Sequence, residues 1–493
     1  MTHSWKLLSD AEREAIEALS VFDSPVSRHL AEEVAAISAV TLRSLIDKSL
    51  LRRDPGGRHS SHPLVSQYAA SRLAADEARR QTVRHRHAQA VLTRLGPNQA
   101  LDHKELLDDG VQAWNHAVEH KDLELLAASA EGVTLLLEAS GQCRRGLDLL
   151  RRADEAAEGH EAAQDRIRAL SRVNQARLLQ HLGEHEMAAE AARAALEGGN
   201  EVEDPRVQVM ARLDLGWAEK WIQGDEAQYR STMEALPLAE VLGDRILLAE
   251  VRNGLGCSAP TLEECKRHLL AALSLVDSAT REDLRSVILC NLGNVCWGLG
   301  DIREAIESLE KALTVARDHG STLRNLDDLI DLAFFRAEAG DLEGALALAD
   351  EAESVDEDSE FLVKSAYLAV VAGEIHERAG DLDGARKRMG RALRLAKSIG
   401  NEPFALRALR LRGLLLMDQG EQDDGLGVLA FVLPRAGRRG DFTSEILNPR
   451  IWAERTESID PERVHRATQW AEDQTLDGLV NKALAEVIQT SVR

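Results

Sequence analysis

His116-Ala117-Val118-Glu119-His120 spells His-x-x-Glu-His. On a helix that spacing sets two imidazoles one turn apart with a carboxylate between them, the donor types that hold a zinc ion. Catalysis there needs a third ligand from a neighbouring helix and a cleft, and the expectation for this segment is a solvated helix end without metal. Cys257, Cys265, Cys290 and Cys296 come from neighbouring segments, with His268 close in sequence. Cys265 stands in a register of small packing residues and Cys296 on an inner helical face, where cysteine behaves as a small hydrophobe. Five cysteines without a Cys-x-x-Cys pair write neither a disulfide framework nor a zinc finger, so reduced thiols are expected. There are no paired carboxylates, no nucleophile elbow and no Gly-Lys dipeptide of a phosphate loop. The expectation is a chain that is not an enzyme and has no cofactor.

The elements that position these residues are helices. Of 493 residues only 17 are aromatic, while Ala, Leu, Glu and Arg dominate, a composition that favours helix over sheet. The formal charge of −23 repels nucleic acid and anionic lipid over most of the surface. It is unevenly spread: residues 1–100 carry 14 basic and 11 acidic side chains, the remainder 46 and 72. The first hundred residues are thus a separate kind of object. The start lacks the apolar core of a signal peptide and no run approaches the 18 or so apolar residues of a membrane helix, which leads to the expectation of a cytoplasmic protein with no membrane partner.

The turn glycines Gly300, Gly340, Gly380 and Gly420 recur every 40 residues. Seven residues before each stands a small residue (Gly293, Ala333, Gly373, Gly413), five after it another (Ala305, Ala345, Ala385, Gly425), and seven further on Ala312, Ala352, Ala392 and Val432. Each unit reads as helix, glycine turn, helix, with Gly closing the first helix and Asp or Glu opening the second at its positive end. Earlier turns at Gly141, Gly183 and Gly224 carry the same signature, with Ala188 and Ala195 in the small positions. A degenerate unit around Pro260 keeps Asn253, Cys265 and Ala272 in register, and Asp460-Pro461-Glu462 opens a helix near the end.

These spacings resemble the tetratricopeptide (TPR) motif, which Leu292, Gly293, Ala305, Leu309 and Ala312 fit well, over about residues 125–475. The units differ in running near 40 rather than about 34 residues and in replacing most of the usual Trp, Tyr, Phe and Pro positions. The resemblance implies a right-handed α-α superhelix of about nine TPR-like hairpins, closed by a capping helix over 476–493. In that family the first helix of each unit lines a concave face. By register this selects Asn294, Trp297, Phe334, Tyr367, Glu374, Glu377, Arg378, Arg407, Arg410 and Met417, with Trp217 and Trp221 as a further pair. Aromatics among charges suit a protein, peptide or small inducer, although tryptophan at helical spacing also suits a core.

Residues 1–75 carry a second resemblance. Ser4-Trp5-Lys6-Leu7-Leu8-Ser9, Ala18-Leu19-Ser20-Val21-Phe22, Leu42 to Leu51 and His62-Pro63-Leu64-Val65-Ser66-Gln67-Tyr68-Ala69 look like the winged-helix domain of bacterial STAND signalling ATPases. Ser9, Ser27 and Ser38 are the expected helix caps, and Asp54-Pro55-Gly56-Gly57 the turn of a small wing. Residues 106–122 resemble the family's joining helix, within a helical linker over 76–124. The resemblance implies a nucleotide-sensing role for His62 in a complete assembly, and makes Arg43, Lys48, Arg52, Arg53 and Arg58 the residues to weigh for DNA contact. The family's Gly-x-x-x-x-Gly-Lys-Ser/Thr loop does not occur in this chain, so the expectation is a regulatory part whose ATPase acts in trans. Two functions stay open. One is a regulatory sensor scaffold that relays occupancy of its repeats through the winged helix; the other is a transcriptional regulator with the winged helix on DNA and the repeats as sensor or dimerisation domain.

Overall fold

A computed structural model describes residues 5, 7–96, 99–157, 162–276, 281–319, 322–356, 361–436 and 459–491. Residues 437–458, which the sequence reading places within the repeats, and Ser4 and Lys6 of the N-terminal motif lie outside them. By contact the chain divides into two compact units, residues 1–138, 144–178 and 194–207 forming one and residues 139–143, 179–193 and 208–493 the other.

The first unit opens with helices α1 (Asp10–Leu19), α2 (Arg28–Ala35) and α3 (Ala39–Asp47). Each begins where a serine satisfies a backbone N–H that has no partner within the helix. Ser9 Oγ accepts from Glu12 N at 3.3 Å while the Glu12 carboxylate accepts from Ser9 N at 2.8 Å, a complete capping box. Ser27 and Ser38 accept from Leu30 N and Thr41 N at 3.2 and 3.3 Å. Ala15, Ile16, Ala31, Val34, Leu42 and Leu45 are buried among these helices. Strands β1 (Leu51–Arg53) and β2 (His59–Ser61) pair antiparallel, Leu51 opposite Ser61 and Arg53 opposite His59. Their turn is held by Asp54, whose Oδ1 accepts from Arg58 N at 2.8 Å, and by Gly57 at φ 83°. Val26 bridges His59 on the other edge of β2.

Helices α4 (Pro63–Leu73), α5 (Glu77–Arg94) and α6 (Leu107–Glu119) follow, with a short 3-10 turn over Ala100–Leu106. Asp109, fully buried on α6, accepts from Asp23 N at 3.0 Å and Ser24 N at 3.2 Å, and lies 3.3 Å from His87 Nε2 on α5. One carboxylate therefore ties the loop after α1 to both later helices. Helix α7 (Leu123–Ala139) passes so close to the end of α5 that a Cβ on Gly132 would stand 1.9 Å from the Leu95 carbonyl oxygen. Only glycine fits there. Then come α8 (Cys143–Ala156), α9 (Ala162–His181), α10 (His185–Glu201) and α11 (Pro205–Gln223).

The second unit carries α12 (Asp225–Leu242), α13 (Arg245–Gly256), α14 (Leu262–Leu275), α15 (Glu282–Gly298), α16 (Ile302–His319), α17 (Thr322–Glu338), α18 (Leu342–Asp356), α19 (Leu362–Arg378), α20 (Leu382–Ser398), α21 (Glu402–Asp418), α22 (Gln422–Ala436), α23 (Pro461–Glu472) and α24 (Leu476–Ser491). Its four regular turns share one backbone geometry. Gly300, Gly340, Gly380 and Gly420 sit at φ 81–89°, and the next residue's N–H reaches back to Cys296, Arg336, His376 and Leu416 carbonyls at 2.9 Å each. This bond satisfies a carbonyl at the end of the first helix and reverses the chain. Asp301, Asp341 and Asp381 then cap the second helices, each Oδ1 accepting from the third residue on at 2.9–3.0 Å.

Between the two helices of a hairpin the small residues are a steric requirement. Ala305, Ala312, Ala345, Ala352, Ala385 and Ala392 are fully buried, and a Cβ on Gly425 would meet the Gly413 carbonyl oxygen at 2.7 Å. In the degenerate unit Asn253, Cys265 and Ala272 are buried in the same register. Helix α23 starts at the expected Asp460 cap, and α24 buries Leu479, Val480 and Ala483, its Val487 reaching Gly390 of α20.

Candidate functional site

Helices α15, α17, α19 and α21 are the first helices of four successive hairpins, and their side chains form a polar and aromatic ladder within the second unit. Asn294 Nδ2 donates to Asp331 Oδ2 at 2.9 Å, and the Cys290 thiol donates to the same oxygen at 3.3 Å. From the next helix pair, Tyr367 OH donates to Asp331 Oδ1 at 3.0 Å. Burial pushes the Asp331 carboxyl above the usual carboxylate range against the pull of these donors, and burial beside Asp331 pushes the Tyr367 hydroxyl and the Cys290 thiol up as well.

One step along, Arg407 donates to both oxygens of Glu374, at 3.0 and 2.6 Å, and Arg410 donates to Glu374 Oε1. Burial alone would raise Glu374, but the two guanidinium groups overcome it and hold the carboxyl at about 2. The Arg407 guanidinium carbon lies 5.5 Å from the Tyr367 ring and 5.6 Å from the Phe334 ring, so both steps of the ladder share one cation. Trp297 stands edge-on to Phe334 at 5.4 Å, and Tyr367 stacks on Phe404 at 6.0 Å.

The ladder therefore unites Asn294, Trp297, Phe334, Tyr367, Glu374, Arg407 and Arg410, which the register selects. Their accessibility differs: Phe334, Glu374, Arg407 and Arg410 are buried, whereas Asn294, Trp297 and Tyr367 are half-buried. The remaining register positions lie outside it. Glu377 is half-buried, Arg378 is exposed and paired with Glu338, and Met417 packs beside Gly425. Trp221 is 40% exposed and stacks on His185 at 5.1 Å, while Trp217 lies under Lys220. Asp331 and Phe404 escape the register argument. Asp331 lies three residues before Phe334, one turn away on the same helix, and that spacing is the signal that could have found it.

Of the cysteines, Cys290 donates to Asp331, Cys265 donates to the Ala259 carbonyl, and burial pushes the Cys257 thiol to about 12. In the first unit His62 is exposed and its Nδ1 accepts from Leu64 N at 3.2 Å, capping α4. Arg43, Arg52 and Arg53 are exposed. Arg58 pairs with Glu105 at 3.5 Å. Lys48 is committed elsewhere: its Nζ lies 2.6 and 2.7 Å from the Glu12 oxygens, and with Ser44 it holds that carboxyl at about 2.

The His116-x-x-Glu119-His120 segment closes α6, with Glu119 and His120 exposed. His116 is buried, with one potential ligand atom each from His116, Glu119 and His120 lying within 4.8 Å of one another. The His116 and His120 rings are 4.0 Å apart and His85 of α5 approaches His116 at 6.2 Å.

Residues 287–319 match the tetratricopeptide repeat family. No curated protein matches the chain. Among solved structures, a Signal Transduction ATPase with Numerous Domains (STAND) protein with a tetratricopeptide repeat sensor from Pyrococcus horikoshii is similar at 15% identity and TM-score 0.49, over 94% of this chain and 66% of that one. This chain thus spans just under two thirds of that protein. A Rap protein complexed with competence and sporulation factor is similar at 14% identity and TM-score 0.49, over 68% of this chain and 92% of that one. The quorum sensor NprR from B. thuringiensis is similar at 12% identity and TM-score 0.47, over 68% and 97%. No helix among the described residues is long and apolar enough to cross a membrane. The chain is a helical repeat protein with a tetratricopeptide repeat at 287–319.

Proposed function

We propose that this protein is a non-enzymatic sensor scaffold whose inner repeat helices bind a protein or peptide partner, and that residues 1–75 act as a winged-helix relay to an ATPase or effector supplied in trans. The observation that carries the reading is the ladder. Side chains from four first helices, 33 to 41 positions apart, meet in one continuous hydrogen-bonded and aromatic set. A purely structural interface needs no such polar continuity, because the small residues already close each hairpin. A ligand that replaces one of these contacts would be felt on the next helix through Asp331, Tyr367 and Arg407. Acidic side chains outnumber basic ones over residues 101–493, which favours a basic or amphipathic partner. The three N-terminal helices with a short two-stranded hairpin support the winged-helix reading of the relay.

The test is a library of short basic amphipathic peptides screened on the full chain, followed by fluorescence anisotropy. Trp297→Ala and Asn294→Ala should each weaken the best peptide about tenfold or more, in the range of interface hot spots, while Arg52→Ala leaves it unchanged. Peptides indifferent to both inner-face changes would overturn the reading.

A second reading, a transcriptional regulator, draws on one observation: Arg43, Arg52 and Arg53 are exposed on α3 and β1. A salt-dependent shift of duplex DNA that is lost in the Arg52→Ala/Arg53→Ala double variant would establish it, and no shift at low salt would remove it.

A further inference from the structure

We propose that His116, Glu119 and His120 of α6, together with His85 of α5, form a binding site for one divalent transition-metal ion of the zinc type. Three ligand groups already converge within 4.8 Å. A zinc ion with bonds of roughly 2.0–2.2 Å draws its donors closer than that. The required movement falls mainly on Glu119 and His85, which are exposed.

Two details of the cluster point to a ligand. His116 is 7% exposed, and its Nε2 is buried with no hydrogen-bond partner. A buried imidazole nitrogen without a partner is unfavourable, and coordination is one way to satisfy it. His120 Nδ1 lies 2.9 Å from the His116 carbonyl oxygen. Donating there fixes the tautomer and leaves the His120 Nε2 lone pair available, the arrangement in which metal-bound histidines are usually held.

The donor set also selects the ion. Imidazoles with one carboxylate, and no thiolate, suit zinc, cobalt, nickel or copper, whereas magnesium and calcium favour all-oxygen shells. With His85 on α5 and the other donors at the end of α6, the ion would fasten the last turn of one helix to the neighbouring helix. The site lies within the first unit and is independent of the ladder.

The experiment uses the full chain, stripped with a chelator and titrated with Zn²⁺ against a chromophoric competitor, then with Co²⁺ for its visible spectrum. One ion per chain is expected. His120→Ala and Glu119→Gln should each weaken binding about 10–100-fold, and His85→Ala should weaken it less. The three altered residues are exposed, so the metal-free thermal midpoint should be unchanged, and Zn²⁺ at one concentration should raise the midpoint of the unaltered chain more than that of any variant. Absence of saturable binding, binding equal in the His116→Gln/His120→Ala double variant, or thiolate charge-transfer bands with Co²⁺ would each overturn the proposal.

Discussion

Arg407 and Glu374, 33 residues apart on two successive first helices, form a two-bond guanidinium–carboxylate pair in which the arginine has no exposed surface. Such a pair is costly to desolvate and costlier to break, because removing one partner strands the other charge. Arg407→Met should therefore destabilise the second unit by about 3–5 kcal/mol; because Arg410 also pairs with Glu374 and is buried, only Arg407→Met, Arg410→Met and Glu374→Leu together should recover much of that loss. Denaturant titration of the single and triple variants checks it; equal stability of the two would separate the charge cluster from the stability of the unit.

Acid unfolding should show the same pair. The Glu374 carboxyl is held at about 2, below its ordinary value of 4.5. A depressed carboxyl contributes stability that is present above the ordinary value and is lost as pH falls through the lowered one. Asp331, raised by burial, has the opposite sign and contributes stability lost as pH rises through its raised value. Between pH 4.5 and 2 Glu374→Gln should thus flatten the fall in unfolding free energy, and an unchanged slope would show that its protonation is not linked to folding.

Gly340→Val tests whether stability is distributed along the repeats. Gly340 sits at φ 89° and a Cβ there meets nothing within 4 Å, so the substitution is resisted by the backbone and not by a clash. Strain of this kind costs about 1–3 kcal/mol. Hydrogen exchange should rise in α17 and α18 and their direct neighbours, while α13 and α24 stay protected. Uniform loss of protection would mean that the second unit unfolds as one body.

Asp109→Ala should loosen the first unit in a different way. It leaves Asp23 N and Ser24 N without their acceptor and removes the group beside His87. Each lost hydrogen bond to the carboxylate costs about 1.5–3 kcal/mol. Proteolysis should then cut first in the loop between α1 and α2, and an unchanged cleavage pattern would show that this loop is held by other contacts.

What repeats locally was legible in the sequence. The Gly-Asp turns are fixed by a backbone conformation that glycine alone adopts cheaply, and Ser9, Ser27 and Ser38 are read from their own neighbours. Contacts between side chains far apart were harder to read. The register brought out Tyr367 and Arg407 because both fall on the same helical face, but nothing local announces that Asp331 receives three donors from two other helices. The partner of Lys48 was equally hidden, because Glu12, 36 residues earlier, is brought to it only when α1 and α3 pack. The surroundings of His116 were out of reach for the same reason: His85 lies on another helix, and the burial of His116 is a property of the packed pair.

The cysteines give a last, independent check on the packing of the second unit. The five cysteines form no disulfide among the described residues, and Cys265, Cys290 and Cys296 are buried in that unit. Burial pushes Cys257 to about 12 and raises Cys265, Cys290 and Cys296, with Asp331 adding to the effect at Cys290. The thiolate is the reactive form, so these groups should resist alkylation at pH 8. In the native chain iodoacetamide should label them slowly, and in denaturant all five should react at ordinary rates. Removing the Asp331 charge with Asp331→Asn should not make Cys290 reactive, because burial is the larger cause and is unaffected. Rapid native labelling of Cys290 would instead mean that the ladder opens often enough to admit solvent, and that its hydrogen bonds are formed only part of the time.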